Sequence, residues 1–429
     1  MSIANRGLDV PREEPIKNLL PRLNTRREYF DYLDRWTVGT VDDLRAHMTT
    51  RALTKGFLLE TSRSNGARDA LGALGSLNQE ITPIDNTLYR LHRRGEEGDW
   101  ALIEVEDQRY PVLYTALEST FANSRVDRLI QNSPLLDRAW FAAPMFQNLW
   151  QLIIGAFPPN RFSQIVFEHE CLYEAFADEP LESPDDAATD DMGLTKDEEE
   201  VLGVERRRAR MQITERIGKL AEALPKMRPN YEPLESIVRL RMPAPRRGGH
   251  DVYFDGRFTN RSDSIVSLRQ TIQTVTDIYR RATERAEESS WPSPIDAIPQ
   301  GRPISLGSPL LVKFGEQLDI DTFDRWIAAL RRKNNRFRLW GTPISLGEGK
   351  VHLYATDNHL WQPIDLEITR DHLYAILPLG TCGNTIHRLV TNLQRFIAPK
   401  LETYIGNQKY EDFISGESTS RLGGGIPSA

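Results

Sequence analysis

The feature that most constrains the fold is a repeated order of elements, in which strand-like runs are followed by an amphipathic helix. Residues 234–289 contain two such runs and then a helix, and residues 350–398 contain three runs and then a helix. In both helices apolar residues recur at i, i+3/i+4 and i+7, which gives each helix one face to bury. A helix that lies across antiparallel strands forms an α+β layer. The sequence therefore predicts an α+β fold of antiparallel hairpin-plus-helix layers, and whether the two units are a duplication stays open.

Further elements divide the chain into three expected domains. A strand over 310–314 and a helix over 318–332 precede the second unit, and a short strand is expected near 402–405. We expect a helical domain with a hairpin over 1–120, an α+β domain over 121–300 and a C-terminal α+β domain over 301–429. The segment near 178–200 is acidic, with almost no apolar residues, and is expected to be a linker that interrupts the second domain.

The N-terminal region has an element order typical of a winged helix. Two helices are expected between residues 25 and 53, the second with Thr40 as its N-cap, and further helices over 67–77 and 83–94. Alternating runs over 100–106 and 110–117 then predict a hairpin. If residues 83–94 form a recognition helix, they would present arginines to DNA. The acidic residues of the hairpin favour the alternative, a structural role.

Strand and helix patterns also flank the acidic segment. Residues 162–173 alternate and predict a strand, and residues 196–224 carry an apolar stripe that predicts a long helix. The aromatic-rich run over 140–150 has helical spacing, which is more typical of a core than of a cofactor site. Its aromatic residues are therefore expected to be buried.

Composition narrows the class of protein. The 429 residues are 39% hydrophobic and carry a net charge of −7, so the chain has enough apolar material to fold and is not basic overall. With two cysteines, Cys171 and Cys382, a disulfide framework and a zinc site built on cysteine pairs are excluded. The first residues lack the apolar run of a secretory signal, and the apolar stretch near 149–157 is too short to span a bilayer. We therefore expect a cytoplasmic protein that does not contact the membrane.

The strongest candidate for a ligand site is the turn that precedes the helix of the second unit. It is formed by Gly380, Thr381, Gly383, Asn384 and Thr385. Free backbone N–H groups at the start of a helix can bind a phosphate or a carboxylate. The turn matches neither a P-loop nor a dinucleotide fingerprint. The alternative is an N-cap, in which Asn384 or Thr381 satisfies the free donors.

Two further groups of residues are candidate binding sites. The first is a polar group around a hairpin and a helix start, formed by His250, Asp251, Asn260, Arg261 and Asp263. A ligand site is one interpretation, and a tight turn followed by a helix cap is the other. The second is a basic run next to aromatic residues, which a polyanion such as single-stranded nucleic acid would favour, formed by Arg331, Arg332, Lys333, Arg336 and Arg338. A helix end with cations followed by core aromatics explains this run equally well.

The remaining titratable residues give no recognisable catalytic or metal pattern. Cys382 and His387 flank the turn, but positions i and i+5 do not meet on a helix, so a buried structural thiol is favoured over a nucleophile. His352, Asp357, His359 and His372 do not have the spacing of a metal site. We therefore expect neither a metal nor another cofactor.

The functional expectation follows from these observations. Catalytic triads, Walker motifs and zinc knuckles are absent from the sequence. We expect an interaction or assembly protein, an adaptor or component of a multi-protein system that binds a protein partner. Two alternatives stay open: nucleic-acid binding through the basic run or the winged-helix region, and a phosphate-ester hydrolase or transferase that uses the turn at 380–385.

Overall fold

A computed structural model describes residues 18–48, 51–62, 66–74, 79–171, 207–291, 293–295, 304–306, 308–331 and 335–415. The helices of these residues are α1 (Arg26–Arg45), α2 (Ala67–Leu74), α3 (Ser119–Gln131), α4 (Ala143–Ala156), α5 (Ile217–Met227), α6 (Ile265–Ser290), α7 (Ile320–Leu330), α8 (Asn384–Phe396) and α9 (Tyr410–Ser415). The strands are β1 (Lys55–Glu60), β2 (Gln79–Pro83), β3 (Leu88–Arg93), β4 (Asp99–Glu104), β5 (Val112–Thr115), β6 (Asp137–Arg138), β7 (Phe162–Cys171), β8 (Arg207–Arg216), β9 (Ile237–Pro243), β10 (Gly249–Tyr253), β11 (Arg257–Asn260), β12 (Ser293–Ile295), β13 (Ile304–Leu306), β14 (Leu310–Phe314), β15 (Leu339–Gly347), β16 (Lys350–Asp357), β17 (Gln362–Thr369), β18 (His372–Ile376), β19 (Leu401–Ile405) and β20 (Gln408–Lys409).

The first large sheet joins strands from the N-terminal and middle parts of the chain. Its order is β2-β3-β4-β5-β1-β11-β10-β9-β7-β8, and β6 also pairs with β1. The pairings are antiparallel, and Gly56 in β1 lies opposite Tyr114 on one side and Phe258 on the other. β1 therefore connects the N-terminal hairpins to the strands that precede α6.

The second sheet is formed by the C-terminal part of the chain, in the order β15-β16-β17-β18-β14-β19-β20. Strands β15 to β18 follow one another as a meander of antiparallel pairs. β14 then enters between β18 and β19. A separate two-stranded sheet pairs β12 with β13.

Helix α6 lies across the first sheet at a point of close approach. A Cβ atom added to Gly56 would lie 2.6 Å from the Ile272 Cδ1 atom of α6. Since real Cβ contacts are not that short, glycine in β1 lets the helix pack directly on the strand. Ile272 and Phe258 belong to a hydrophobic core that also includes residues of the second sheet, such as Leu353 and Leu366.

Helix α8 is buried along its whole length. All of its residues, Asn384 to Phe396, are buried, including the polar and charged ones. Its side chains contact α6, the first sheet and the second sheet, as the hydrogen bonds described below show. The prediction of one buried face for this helix is wrong, because protein groups on every side take the place of solvent.

The structure is a mixed α+β fold with large antiparallel sheets, as predicted. The expected hairpin over 100–117 is confirmed by the pairing of β4 with β5. The strands and helices of both repeated units are also present, although the run over 251–258 is divided into β10 and β11 by a turn at Gly256. The aromatic residues of the run over 140–150, Trp140, Phe141, Phe146 and Trp150, are buried as expected.

The winged-helix order is not confirmed. Residues 83–94, expected to form a recognition helix, contain the end of β2 and the strand β3, which pair with each other. Thr40 does not start a second helix, because α1 continues through it and the Thr40 hydroxyl donates to the Trp36 carbonyl at 2.8 Å. The start signal lies at Thr25, which forms a capping box with Glu28.

One other element prediction is wrong, and one strand of the second sheet was not predicted. Residues 207–216 of the expected long helix form β8, which pairs with β7 over its whole length; residues 196–206 lie outside the described residues. β15, which begins directly after Arg338 of the basic run, was not predicted. The acidic segment 178–200 also lies outside the described residues. Across the part of the chain that the structure covers, no helix combines the length and the apolar character needed to cross a bilayer.

Candidate functional site

The turn before α8 lies in the interior. Thr381, Gly383, Asn384 and Thr385 are buried, and Gly380 adopts a positive φ of 88° that favours glycine. The Gly383 N–H donates to the Glu287 Oε1 atom of α6 at 2.8 Å. A protein carboxylate therefore lies where the sequence suggested that an external anion could bind.

The side chains of the turn do not cap the helix. Gly383 is the N-cap residue, with no side-chain cap. Asn384 instead accepts from the Tyr279 hydroxyl at 3.0 Å and donates to the Arg138 carbonyl at 3.0 Å. The Thr381 hydroxyl donates to the Pro378 carbonyl at 2.8 Å. The turn thus uses its polar groups to join α6, the first sheet and α8.

Beneath the turn, Arg109 lies between two buried carboxylates. Its Nη2 atom is 2.9 Å from Glu60 Oε1 and also donates to Glu287 Oε1, and its Nη1 atom is 3.1 Å from Glu287 Oε2. The Tyr279 hydroxyl, whose single proton is shared between Asn384 and Glu60, lies 2.6 Å from Glu60 Oε2. Burial raises the pKa of Glu60, although Arg109 opposes this effect. This group links β1, α6 and the segment before β5.

Cys382 completes this group as a thiol. Its Sγ atom donates to Glu60 Oε1 at 3.2 Å. Burial, followed by the nearby charge of Glu60, raises the pKa of Cys382 well above its ordinary value. Glu60, Glu287 and Cys382 have ligand atoms within 4.8 Å of one another, the spacing of a metal site. However, Arg109 already donates to both carboxylates, so the positive charge of the group is supplied by the protein.

His387 does not contact Cys382 in the way that a catalytic base would. Its Nδ1 atom is 2.6 Å from the Tyr410 hydroxyl and its Nε2 atom is 3.0 Å from the Thr283 hydroxyl. Burial lowers the pKa of His387 to about 3, so its imidazole is neutral at pH 7. These contacts support the structural interpretation of both residues.

A second buried ionic group connects α8 to both sheets. Arg388 donates to Asp357 of β16 at 2.7 Å and to Asp137 of β6. Arg338 lies 3.1 Å from Asp137, and Thr385 donates to Asp357 at 2.5 Å. The carboxylates and cations of this group are thus matched inside the protein.

His359 lies beside this second group. Its Nδ1 atom is 3.1 Å from the Pro134 carbonyl, and burial lowers its pKa to about 4. Asp357 accepts from the His359 backbone N–H at 2.8 Å, not from the ring. His352 lies in β16 and His372 in β18 of the second sheet. The contacts of His359 give no indication that it shares a metal with either of them.

The polar group around His250 is part of the first sheet and of the start of α6. Asp251 is fully buried and accepts from Arg241 at 2.6 Å and from Arg261 at 2.5 Å. His250 contacts the hydroxyls of Ser262 and Thr271, at 3.1 and 2.9 Å. Burial lowers the pKa of His250 to about 4.

The same group also forms the cap of α6. The Asn260 side chain accepts from the Ser262 N–H at 2.9 Å, and Ser264 is the N-cap of α6. The cap residue is thus Ser264, which directly follows Asp263 and is not itself a member of the group identified in the sequence. The contacts nevertheless support the turn-and-cap interpretation of this group.

The basic run is not presented as one surface. Arg338 adopts a positive φ of 52° and donates to the carbonyls of Leu136 and Ile130, at 2.8 and 3.1 Å. Burial lowers the pKa of Arg336. Arg331 is exposed at the end of α7, while Arg332 and Lys333 lie outside the described residues. The structure therefore brings Arg338 to the interior ionic group, away from Arg331.

A cleft of about 310 Å³ lies between α6 and strands β4 and β5. Its acidic residues include Glu104 and Asp107. Arg269 lies 2.5 Å from Glu104, and Arg280 pairs with Asp107. These carboxylates are therefore already matched by cations of the protein.

The second sheet exposes large apolar side chains on the face opposite the core. Five of them alternate with buried residues along strands β15, β16 and β18, and we call the surface they form the outer face: Trp340, Ile344, Tyr354, Tyr374 and Ile376. Three more lie in loops or a bulge at its margin: Leu346, Trp361 and Leu379. Each of the eight is between 37% and 64% exposed. Eight of the sixteen large hydrophobic residues that are exposed in the described part of the chain thus fall within residues 340–379.

The register of the strands places these side chains in adjacent rows. Ile344 lies opposite His352, which is opposite Glu367, and Glu367 is opposite Tyr374. In the next row Tyr354 lies between Thr342 and Asp365, and Asp365 is opposite Ile376. The apolar residues therefore lie on one side of the sheet, with Tyr354 diagonal to Trp340 and Ile344. Asp365 and Glu367 of β17 separate these residues from Tyr374 and Ile376.

The outer face was missed in the sequence, although a signal for it exists. Strand β18 reads His-Leu-Tyr-Ala-Ile, in which large apolar residues occupy both faces of the strand. Strands with apolar residues on both faces are typical of sheets that are covered on both sides.

Comparison with known proteins places the chain in a family. A family model described as MJECL33-like protein matches residues 18–201 and 246–413. The chain belongs to this family. The chain is also similar to the protein "Uncharacterized protein MJECL33" of Methanocaldococcus jannaschii, with 25% identity over 171 residues. That alignment covers 38% of this chain and 38% of the relative, so the chain spans well under two thirds of its length. No solved structure matches the chain at a significant level.

The family match includes both buried ionic groups beside α8 and the outer face, but not β8, α5 and β9. Its second part, residues 246–413, contains α6, α8 and strands β14 to β19. The name of the relative indicates no activity. The functional conclusion therefore depends on the geometry of this chain.

Proposed function

We propose that this protein is an assembly protein that binds a protein partner through the outer face of its second sheet. The observation that carries the proposal is the exposed apolar area of this face. With about half of a large side chain exposed, each of the eight residues contributes on the order of 100 Å². Their summed area of roughly 800 Å² is interleaved with polar side chains and is concentrated on one side of the second sheet and at its margin.

The composition of the face fits protein recognition. It contains two tryptophans and two tyrosines, residue types that are enriched in the energetically important parts of interfaces. Their apolar rings gain free energy when a partner removes them from water, at roughly 25 cal/mol per Å². A partner surface that covers this face is therefore the simplest account of why these side chains are solvent-facing.

The two alternative functions, nucleic-acid binding and phosphate-ester chemistry, have less structural support. Nucleic-acid binding through the basic run would need Arg338 at the surface, whereas Arg338 donates to carbonyls in the interior. A phosphate-binding turn would need free N–H groups, whereas the Gly383 N–H is bonded to Glu287. An assembly role uses surfaces that the structure leaves exposed.

The proposal is tested by the native mass of the protein in an extract of its host. The wild-type chain should elute in a complex larger than its own 49.1 kDa. The double variant Tyr354→Glu/Ile376→Lys should elute at the monomer mass, because it places charges in the centre of the outer face. Val266→Lys, which changes a residue of α6 that is 56% exposed, is the matched control and should leave the complex intact. Elution of the wild-type chain as a monomer would overturn the proposal.

A further inference from the structure

The partner of the outer face can be specified further, on the basis of the proposed function. We propose that a second copy of this chain covers the outer face, so that two second sheets pack face to face in a symmetric dimer. The exposed area is the first argument. A standard interface buries about 800 Å² on each partner, and the eight apolar residues alone expose roughly that area.

The edge of the sheet is less suited to a partner than its face. β15 is an edge strand, and an added strand would pair with its free backbone groups. However, Pro343 in the middle of β15 has no N–H to donate, and the register is interrupted between Ser345 and Gly347. Both features disfavour the addition of a strand. The outward side chains are unaffected by them and are free to pack against another sheet.

The charges of the outer face favour a copy over a charged partner. Lys350 and Glu367 form an ion pair of 2.8 Å, and His352 lies 3.7 Å from Asp365. Lys350 compensates the charge of Glu367, and Asp365 lies beside His352, so these residues do not form a cluster of one charge sign that would select a nucleic acid or a strongly charged protein. Two identical faces of this kind can meet without strong like-charge repulsion.

Symmetry provides the third argument. In a dimer with a two-fold axis, the same patch on both copies must be complementary to itself. An apolar patch with internally matched charges meets this condition, whereas a patch with one sign of charge does not. Interfaces between identical chains are also more apolar than those between proteins that associate transiently. Sheets that pack face to face interdigitate their side chains at a spacing of about 10 Å.

Sedimentation velocity of the purified full chain tests this inference. The wild-type protein should sediment as a dimer of the 49.1 kDa chain at micromolar concentration. Tyr354→Glu/Ile376→Lys should weaken the dimer by at least about 100-fold, with an unchanged circular dichroism spectrum because the altered side chains are exposed. Val266→Lys should remain dimeric.

Two results would overturn the inference. One is a wild-type protein that stays monomeric at high micromolar concentration. The other is a double variant that dimerises like the wild type, which would place the contact elsewhere. If the purified chain is monomeric while the complex in the host extract still depends on Tyr354 and Ile376, the dimer is excluded and the proposed function stands. If neither measurement depends on these residues, both proposals fail.

Discussion

Arg388 of α8 and Asp357 of β16 form an ion pair of 2.7 Å in which neither side chain is more than 1% exposed. A buried charge is costly unless it is paired and hydrogen-bonded. Here the Arg388 guanidinium also donates to Asp137 and to the Phe337 carbonyl. The pair explains how a helix with a polar face can lie between two sheets, because the second sheet and β6 supply the counter-charges.

Removal of this cation should destabilise the fold strongly. In Arg388→Met, Asp137 and Asp357 lose a buried partner, and we expect the free energy of unfolding to fall by about 3–5 kcal/mol. Urea denaturation of both proteins measures the difference. Arg331→Met, at the exposed end of α7, is the control and should change the free energy of unfolding by less than about 0.5 kcal/mol. Equal stabilities of the two variants would contradict the structural role of Arg388.

The contact between α6 and the turn before α8 should be sensitive to a single methyl group. In Gly383→Ala the added Cβ would lie 2.8 Å from Thr283 Cγ2 and 2.9 Å from the Thr283 carbonyl oxygen. Because backbone atoms cannot move aside cheaply, we expect a loss of about 1–3 kcal/mol of unfolding free energy. Gly155→Ala in α4 meets no atom within 4 Å and should be neutral or stabilising by up to about 1 kcal/mol. Thermal denaturation that ranks the two variants the other way would refute this packing.

The free energy of unfolding should decrease as the pH falls below the ordinary pKa of histidine, about 6.5. Burial lowers the pKa of His359 to about 4, whereas in the unfolded chain it returns to about 6.5. Between these values the unfolded state binds more protons, so the unfolding free energy falls as the pH falls, by up to about 1.4 kcal/mol per pH unit. The pH dependence of stability has the same sign for His250 and His387, because burial lowers their pKa values to about 4 and about 3.

The variant His359→Gln isolates one of these contributions. Its glutamine amide can still donate to the Pro134 carbonyl but does not titrate. The stability advantage of the wild type over this variant should shrink between pH 7 and pH 5, as measured by urea denaturation at each pH. A difference that is independent of pH would show that His359 is not held neutral in the folded protein.

Cys382 should be chemically inert in the folded protein. The residue is 3% exposed, and burial and the charge of Glu60 raise the pKa of its thiol, so little thiolate is available. Iodoacetamide should leave Cys382 unmodified in the native protein and modify it fully in denaturant, as measured by peptide mass spectrometry. Rapid native modification would instead support the nucleophile that the sequence left open.

The sequence predicts the elements with strong periodicity and misses those that depend on tertiary contacts. α6 and strands β16 to β18 were predicted because their patterns extend over many residues. β8 was predicted as helix because its isoleucine and the apolar residues of α5 also fit a helical stripe. Only the pairing with β7 over ten residues decides between the two periods.

The candidate site shows the same limit. The turn at Gly380 to Thr385 was correctly identified as the junction of a strand and a helix, but Glu287, Arg109 and Glu60 approach it from distant parts of the sequence. No local pattern indicates that Glu287 would accept the hydrogen bond of the Gly383 N–H group. The outer face was accessible in principle, since Tyr374 and Ile376 break the expected alternation of apolar and polar residues.

The most direct test of the account is hydroxyl-radical footprinting of the outer face in the assembled and in the dissociated protein. The dissociated state is the wild-type monomer, obtained by dilution without denaturant. If a partner covers this face, Trp340, Tyr354 and Trp361 should be labelled much less in the complex than in this monomer. Tyr231, which is 44% exposed and lies outside the face, should be labelled equally in both states and serves as the internal reference. Equal labelling of Trp340, Tyr354 and Trp361 in the two states would contradict the claim that assembly occurs through the second sheet.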